Sequence, residues 1–115
     1  MIDKYKLIGR LPVPCFDLRE WAQWYETADR RVARTEVGPL IVSTVFLALD
    51  HSFGEGEPLL FETMIFGGDA RHEHSEIYMA RYTTWDEAEK GHAEAMAIAE
   101  KMLADTGLEA GWIQF

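Results

Sequence analysis

The stretch Leu40-Ile41-Val42-Ser43-Thr44-Val45-Phe46-Leu47-Ala48-Leu49 decides the fold. It is rich in β-branched residues and apolar on both alternating faces, the pattern of an interior strand covered on both sides. Gly38-Pro39 marks a tight turn before it. Upstream of that turn Val32, Arg34 and Glu36 alternate with Arg31, Ala33, Thr35 and Val37, which predicts a partner strand from Arg31 to Gly38. Downstream, Asp50 to Pro58, with Gly54, Gly56 and Pro58, reads as a loop longer than the roughly 2–5 residues of a hairpin connection. Long loops of this kind often carry function. Leu59 to Phe66 predicts a further strand, Gly67-Gly68 breaks it, the polar stretch 69–76 reads as a second loop, and Ile77 to Tyr82 predicts a fourth strand. No crossover helix separates these strands, so they imply an antiparallel meander.

The flanks are helical. Asp17 is an N-cap with Glu20 three residues later, and Leu18, Trp21, Trp24, Tyr25 and Ala28 fall at helical spacing, predicting a helix over about 18–28. Its aromatic stripe reads as core rather than as a cofactor platform. Thr84 and Glu87 form a second capping box, with Asp86, Glu87 and Glu89 placing negative charge at the positive end of a long helix over about 85–105. Trp85, Ala88, His92, Ala95, Met96, Ala99 and Leu103 form its apolar stripe, and Gly107 suits its C-terminal cap. Lys4 to Leu7 reads as a short edge strand; Pro12 and Pro14 fix φ, lack two N–H donors and push their preceding residues to extended conformations. The expectation is an α+β fold in one domain, residues 1–115, with one helix before the meander and one after it. A sheet so thinly covered leaves a face or an edge open, and a homodimer is the natural way to cover it.

Composition bounds the function. The 115 residues, 48% apolar and 27% charged, suit a packed globular domain and exclude a two-domain cofactor enzyme. The 20 acidic and 11 basic residues leave a net charge of −9, which opposes attraction to nucleic-acid phosphates and to anionic membranes. The charge is unevenly spread. Residues 1–35 hold 7 basic and 5 acidic residues, a net of +2, and residues 36–115 hold 4 and 15, a net of −11. The longest apolar run is about half the roughly 20 residues of a membrane-spanning helix, and no apolar signal core follows Met1-Ile2-Asp3-Lys4. Cys15 is the only cysteine, so the chain forms no internal disulfide, and a reduced cytoplasmic setting is expected.

Few residues carry chemistry. Asp50 and His51 close the apolar run, and Glu62 sits mid-strand on a face with Leu60, Met64 and Phe66. If that face is buried, the Glu62 carboxylate needs a partner, for which Arg34, Arg81 and His51 are the candidates. Asp50, His51 and Glu62 are therefore the candidate catalytic set. His72 and His74, two apart in extended chain, join His51 as candidate metal ligands, although an H-x-H pair in a polar loop lacks the three or four converging groups a site needs. His92, on the apolar stripe, reads as a hydrogen-bonded core histidine. Cys15 lies just ahead of a helix N-terminus, where a thiolate could be stabilised, but lone cysteines usually pack as small hydrophobes. The Gly54-Glu55-Gly56-Glu57 and Phe66-Gly67-Gly68-Asp69 segments lack the lysine and helix start of a phosphate cradle, so no nucleotide and no other cofactor is expected.

The block VSTVFLALDHSFGEGEPLLFETMIFGG, Val42 to Gly68, followed by RYTTWDEAEKGH, Arg81 to His92, resembles a family of short uncharacterised proteins of bacteriophage and prophage genomes. The segment VPCFDLREWAQWYETADRRVARTEVG, Val13 to Gly38, is similar to the same family, while the segment 69–76 departs from its Gly/Pro/Asp-rich turn. The resemblance implies a phage accessory protein and assigns no catalytic residue. Two functions are expected from these observations. One is a non-enzymatic acidic module that binds or inhibits a host protein or protein complex, without direct nucleic-acid or membrane contact. The other is a small enzyme or metal-binding protein using Asp50, His51 and Glu62.

Overall fold

The computed structural model describes residues 3–54, 56–67 and 75–106. Among the described residues eight elements follow one another: β1 (Tyr5–Ile8), β2 (Leu11–Pro14), α1 (Leu18–Thr27), β3 (Arg31–Val37), β4 (Leu40–Phe46), β5 (Phe61–Gly67), β6 (Ser75–Tyr82) and α2 (Trp85–Thr106). The fold is α+β. Strands β3 to β6 form an antiparallel sheet in sequence order, so the meander read from the sequence is the observed topology. Among the described residues no helix is long and apolar enough to cross a membrane.

The β3–β4 turn is made by Gly38 at φ +57 and Pro39, whose ring supplies the negative φ that a type II′ turn needs at its second residue. Strand β4 is interior in the sheet, but its burial alternates strictly. Leu40, Val42, Thr44 and Phe46 are buried, while Ile41, Ser43 and Val45 are half-buried. The expectation of cover on both faces is therefore corrected. Helix α2 packs across one face, and among the described residues no element covers the other. The strand is also shorter than the apolar run, because Ala48 adopts φ +66 and turns the chain out of β geometry after Phe46.

Helix α2 is set by its first turn. The Glu87 N–H donates to Thr84 Oγ1 at 3.1 Å and the Thr84 N–H donates to Glu87 Oε1 at 3.0 Å, a complete capping box. Its small residues bring it close to the sheet: Ala95, Ala99 and Leu103 join Leu40, Val42 and Ile65 in one core cluster, and Ala88 joins Phe46, Ala48, Leu60 and Phe61 in a second. Gly91 is the closest approach. A Cβ there would overlap the Tyr82 ring, so glycine is the residue that lets β6 and α2 pack. Gly107 lies outside the described residues.

At α1 the capping box is only half formed. Asp17 accepts the Arg19 and Glu20 N–H groups at 2.9 and 3.1 Å, whereas the Glu20 carboxylate turns to Lys6 Nζ at 3.0 Å and to the Cys15 thiol at 3.2 Å. Trp21 and Trp24 face the second core cluster, and Trp24 meets Phe46 edge to face.

The amino-terminal segment differs most from its reading. It is a hairpin, closed by Gly9-Arg10 with Gly9 at φ +64. Pro12 and Pro14 belong to β2 and pair with Leu7 and Tyr5. Counting from the Ile8–Leu11 closing pair, these are the positions whose N–H groups point away from the partner strand, so two prolines two residues apart remove no ladder bond.

Candidate functional site

Strand β4 does not end where its ladder ends. The Tyr5 N–H donates to Ala48 O at 2.9 Å, Lys4 bridges Leu49, and the Asp50 N–H donates to Asp3 O at 2.8 Å. On the other side of the same segment the Cys15 N–H donates to Lys4 O at 2.8 Å. Residues 3–5 are thus the middle of a narrow three-stranded ribbon, with the start of α1 on one side and the exit of β4 on the other. Trp21 Nε1 secures it from below by donating to both Tyr5 O (3.1 Å) and Ala48 O (3.3 Å).

The loop 50–58 rises from this ribbon. A single oxygen of Asp50 accepts the Ser52 N–H at 2.7 Å and the Leu59 N–H at 3.0 Å, which ties the start of the loop to its end. The His51 N–H donates to Leu59 O at 3.0 Å and the Leu47 N–H donates to Leu60 O at 2.7 Å, closing the base. Burial works to raise the pKa of the Asp50 carboxyl, but hydrogen bonds from Ser52 and Leu59 outweigh it and hold the group below the usual carboxylate range. Ala48, Phe53, Gly54 and Gly56 all sit in the left-handed region, at φ +66, +57, +83 and +73. Left-handed φ at an alanine and a phenylalanine is sterically costly, and such strain concentrates where a loop presents a side chain. The side chain presented is Phe53, 88% exposed. Leu49, at the loop base, and Phe16, across the ribbon and 81% exposed, extend the apolar surface at this end.

The sequence candidates take separate positions. Asp50 organises the loop. The adjacent His51 is fixed by its Nδ1–H, which donates to Leu49 O at 2.9 Å. Glu62 stands opposite Val45 and Arg81 in the register rather than opposite Asp50 or His51. Its carboxylate is almost wholly buried and accepts from Arg81 Nε at 2.9 Å, so of its three possible partners Arg81 is the one it meets. His72 and His74 lie outside the described residues. Among the described residues no three His, Cys, Asp or Glu side chains are grouped so that they could hold a metal ion.

His92 is the core histidine its place on α2 suggested, 6% exposed. Its Nδ1 lies 2.7 Å from Thr44 Oγ1 and its Nε2 lies 2.9 Å from Thr35 Oγ1, and Thr44 Oγ1 lies 2.6 Å from Thr63 Oγ1. One ring therefore ties α2 to β3 and β4, and through Thr44 to β5. Burial lowers its pKa and keeps it neutral. Cys15 is the opposite of an activated thiol. Burial pushes its pKa up, and the hydrogen bond to the Glu20 carboxylate adds to the rise.

Phe53 and Phe16 were not singled out by the sequence reading. The signal for Phe53 was present, because a large apolar residue within the polar Gly- and Glu-rich HSFGEGEP has no regular element to bury it. No family model, no curated protein and no solved structure matches the chain.

Proposed function

We propose that the chain is a non-enzymatic accessory module of phage or prophage origin that binds a host protein in the cytoplasm through the loop 50–58. The observation that carries this reading is Phe53, an aromatic ring held almost fully exposed by a loop whose shape Asp50 sets. Burying such a ring against a partner contributes about 1.5–3 kcal/mol, and a loop already in its bound shape loses little entropy on docking. Glu57 is exposed beside it, Glu55 adds a second charge in sequence, and residues 36–115 carry a net of −11. The partner surface that complements this is an apolar pocket rimmed by lysine and arginine. Against a catalytic role stand the carboxylates themselves, since Asp50 and Glu62 are engaged in holding the structure. The resemblance to short phage proteins supplies the host context.

The test is photo-cross-linking from position 53 in a bacterial host, with Phe53 replaced by a benzophenone amino acid. The expected product is one dominant adduct with a basic host protein, whose formation weakens as salt rises and is competed by the wild-type chain but not by a Phe53→Ala chain. Absence of an adduct, or competition by Phe53→Ala equal to that of wild type, overturns the reading.

A further inference from the structure

Helix α1 buries none of its residues fully. Trp21 and Trp24 turn inward, which leaves Leu18, Ala22 and Tyr25 outward at spacings of four and three, one continuous stripe. Leu18 is 63% and Tyr25 36% exposed, and Asp17, Leu18, Arg19 and Ala22 line a shallow hollow on this surface. Tyr25 is fixed in place: the Arg30 guanidinium lies 4.1 Å from its ring centroid and Trp21 packs against it at 4.9 Å. Beside the stripe, on one flank, stand Arg19 and Glu26. They are exposed, two turns or about 10.5 Å apart, and among the described residues neither has an ion-pair partner.

We infer that α1 is a self-association surface and that its occupant is α1 of a second copy, packed antiparallel with the crossing point at Ala22. The argument is the order of the charges. In a two-fold antiparallel pair the same flank of each helix faces the other with its direction reversed, so Arg19 of one copy meets Glu26 of the other, twice. A parallel two-fold pair would instead set this flank against the opposite one, where Trp21 and Trp24 lie, and would leave both charges unmatched. The same operation brings Leu18 of one copy against Tyr25 of the other, over the hollow. The small side chain of Ala22 lets the axes approach to the roughly 8–10 Å of packed helices. A single ten-residue helix offers far less than the roughly 800 Å² per partner of a standard interface, so the association is weak and concentration-dependent. This inference does not rest on the loop 50–58.

Sedimentation equilibrium of the full chain tests it. The weight-average mass should rise from monomer toward dimer between about 10 μM and about 1 mM. Ala22→Arg should hold the chain monomeric. Arg19→Glu should weaken association by about tenfold or more, and Arg19→Glu with Glu26→Arg should return it to near the wild-type level. All three positions are exposed, and near-ultraviolet circular dichroism confirms the fold of each variant. A wild-type chain that stays monomeric throughout, a dimer that survives Ala22→Arg, or a charge exchange that fails to restore association overturns the inference.

Discussion

The Asp50 carboxylate accepts the Leu59 N–H at 3.0 Å, joining residues nine apart in the chain, through the same oxygen that accepts the Ser52 N–H. Asp50→Ala should therefore cost about 1–3 kcal/mol in denaturant unfolding at neutral pH, the loss of charged hydrogen bonds to a half-buried group. The pH dependence fixes the cause. The folded pKa lies below the unfolded value, so the stabilisation is complete above about pH 4 and is lost as pH falls through the folded pKa. The stability gap between wild type and Asp50→Ala should accordingly narrow on acidification below that point, and a gap that stays constant would count against the assignment.

Phe53 separates function from stability. Phe53→Gly removes a ring that is 88% exposed and places glycine at φ +57, so its midpoint of unfolding should be unchanged or correspond to a gain of about 1 kcal/mol. Partner binding, measured by competition in the cross-linking assay, should fall by tenfold or more, to about the extent that loss of a buried aromatic anchor implies.

His92 gives the protein an acid-sensitive core. Its pKa is lowered on folding by burial, so the unfolded chain binds the proton first and stability falls as pH drops below about 6.5, by up to about 1.4 kcal/mol per pH unit, until the folded pKa is reached. Replacing it with glutamine should lower stability at pH 7 and flatten the slope below about pH 6.5. An unchanged slope would assign the acid sensitivity to other groups.

Gly91→Ala tests packing against propensity. Alanine is the better helix former by about 1 kcal/mol, yet its Cβ would collide with the Tyr82 ring. A net destabilisation of about 1–3 kcal/mol is expected. Combining it with Tyr82→Leu should give a total loss smaller than the sum of the two single losses, the signature of a shared contact.

Glu62→Ala should cost about 1.5–3 kcal/mol, because it removes a buried acceptor of the Arg81 guanidinium. Partial exposure of Arg81 lets water take up part of the loss. Cross-linking from position 53 should be untouched, since Glu62 acts in the sheet and not in the loop; a parallel loss of both would tie Glu62 to function.

The sheet and the long helix were legible because their signals are local and redundant. Alternation in β3, Gly38-Pro39 and the Thr84–Glu87 box each specify a backbone geometry that packing had no reason to override. Strand β2 was not legible, since a proline argues against a strand unless its register is known, and register is a tertiary fact. The same limit applied to Glu62: three cations could have met it, and only the β5–β6 pairing selects Arg81. Asp50 stood out in the sequence only as a candidate catalytic carboxylate, not as the tie of its loop. Its role depends on Leu59 returning to it, which no spacing rule anticipates. Phe53 was visible as an apolar residue in a polar loop, but its exposure follows from the left-handed turn at its own φ.

The ribbon at residues 3–5 also has a practical side. Because Asp3 O receives the Asp50 N–H, anything joined to the chain ahead of Asp3 leaves the surface within a few ångströms of the base of the Phe53 loop. An amino-terminal affinity tag or reporter would stand over the proposed docking end and could screen it from a partner. Bait proteins and immobilised surfaces built on this chain should therefore avoid attachment ahead of Asp3.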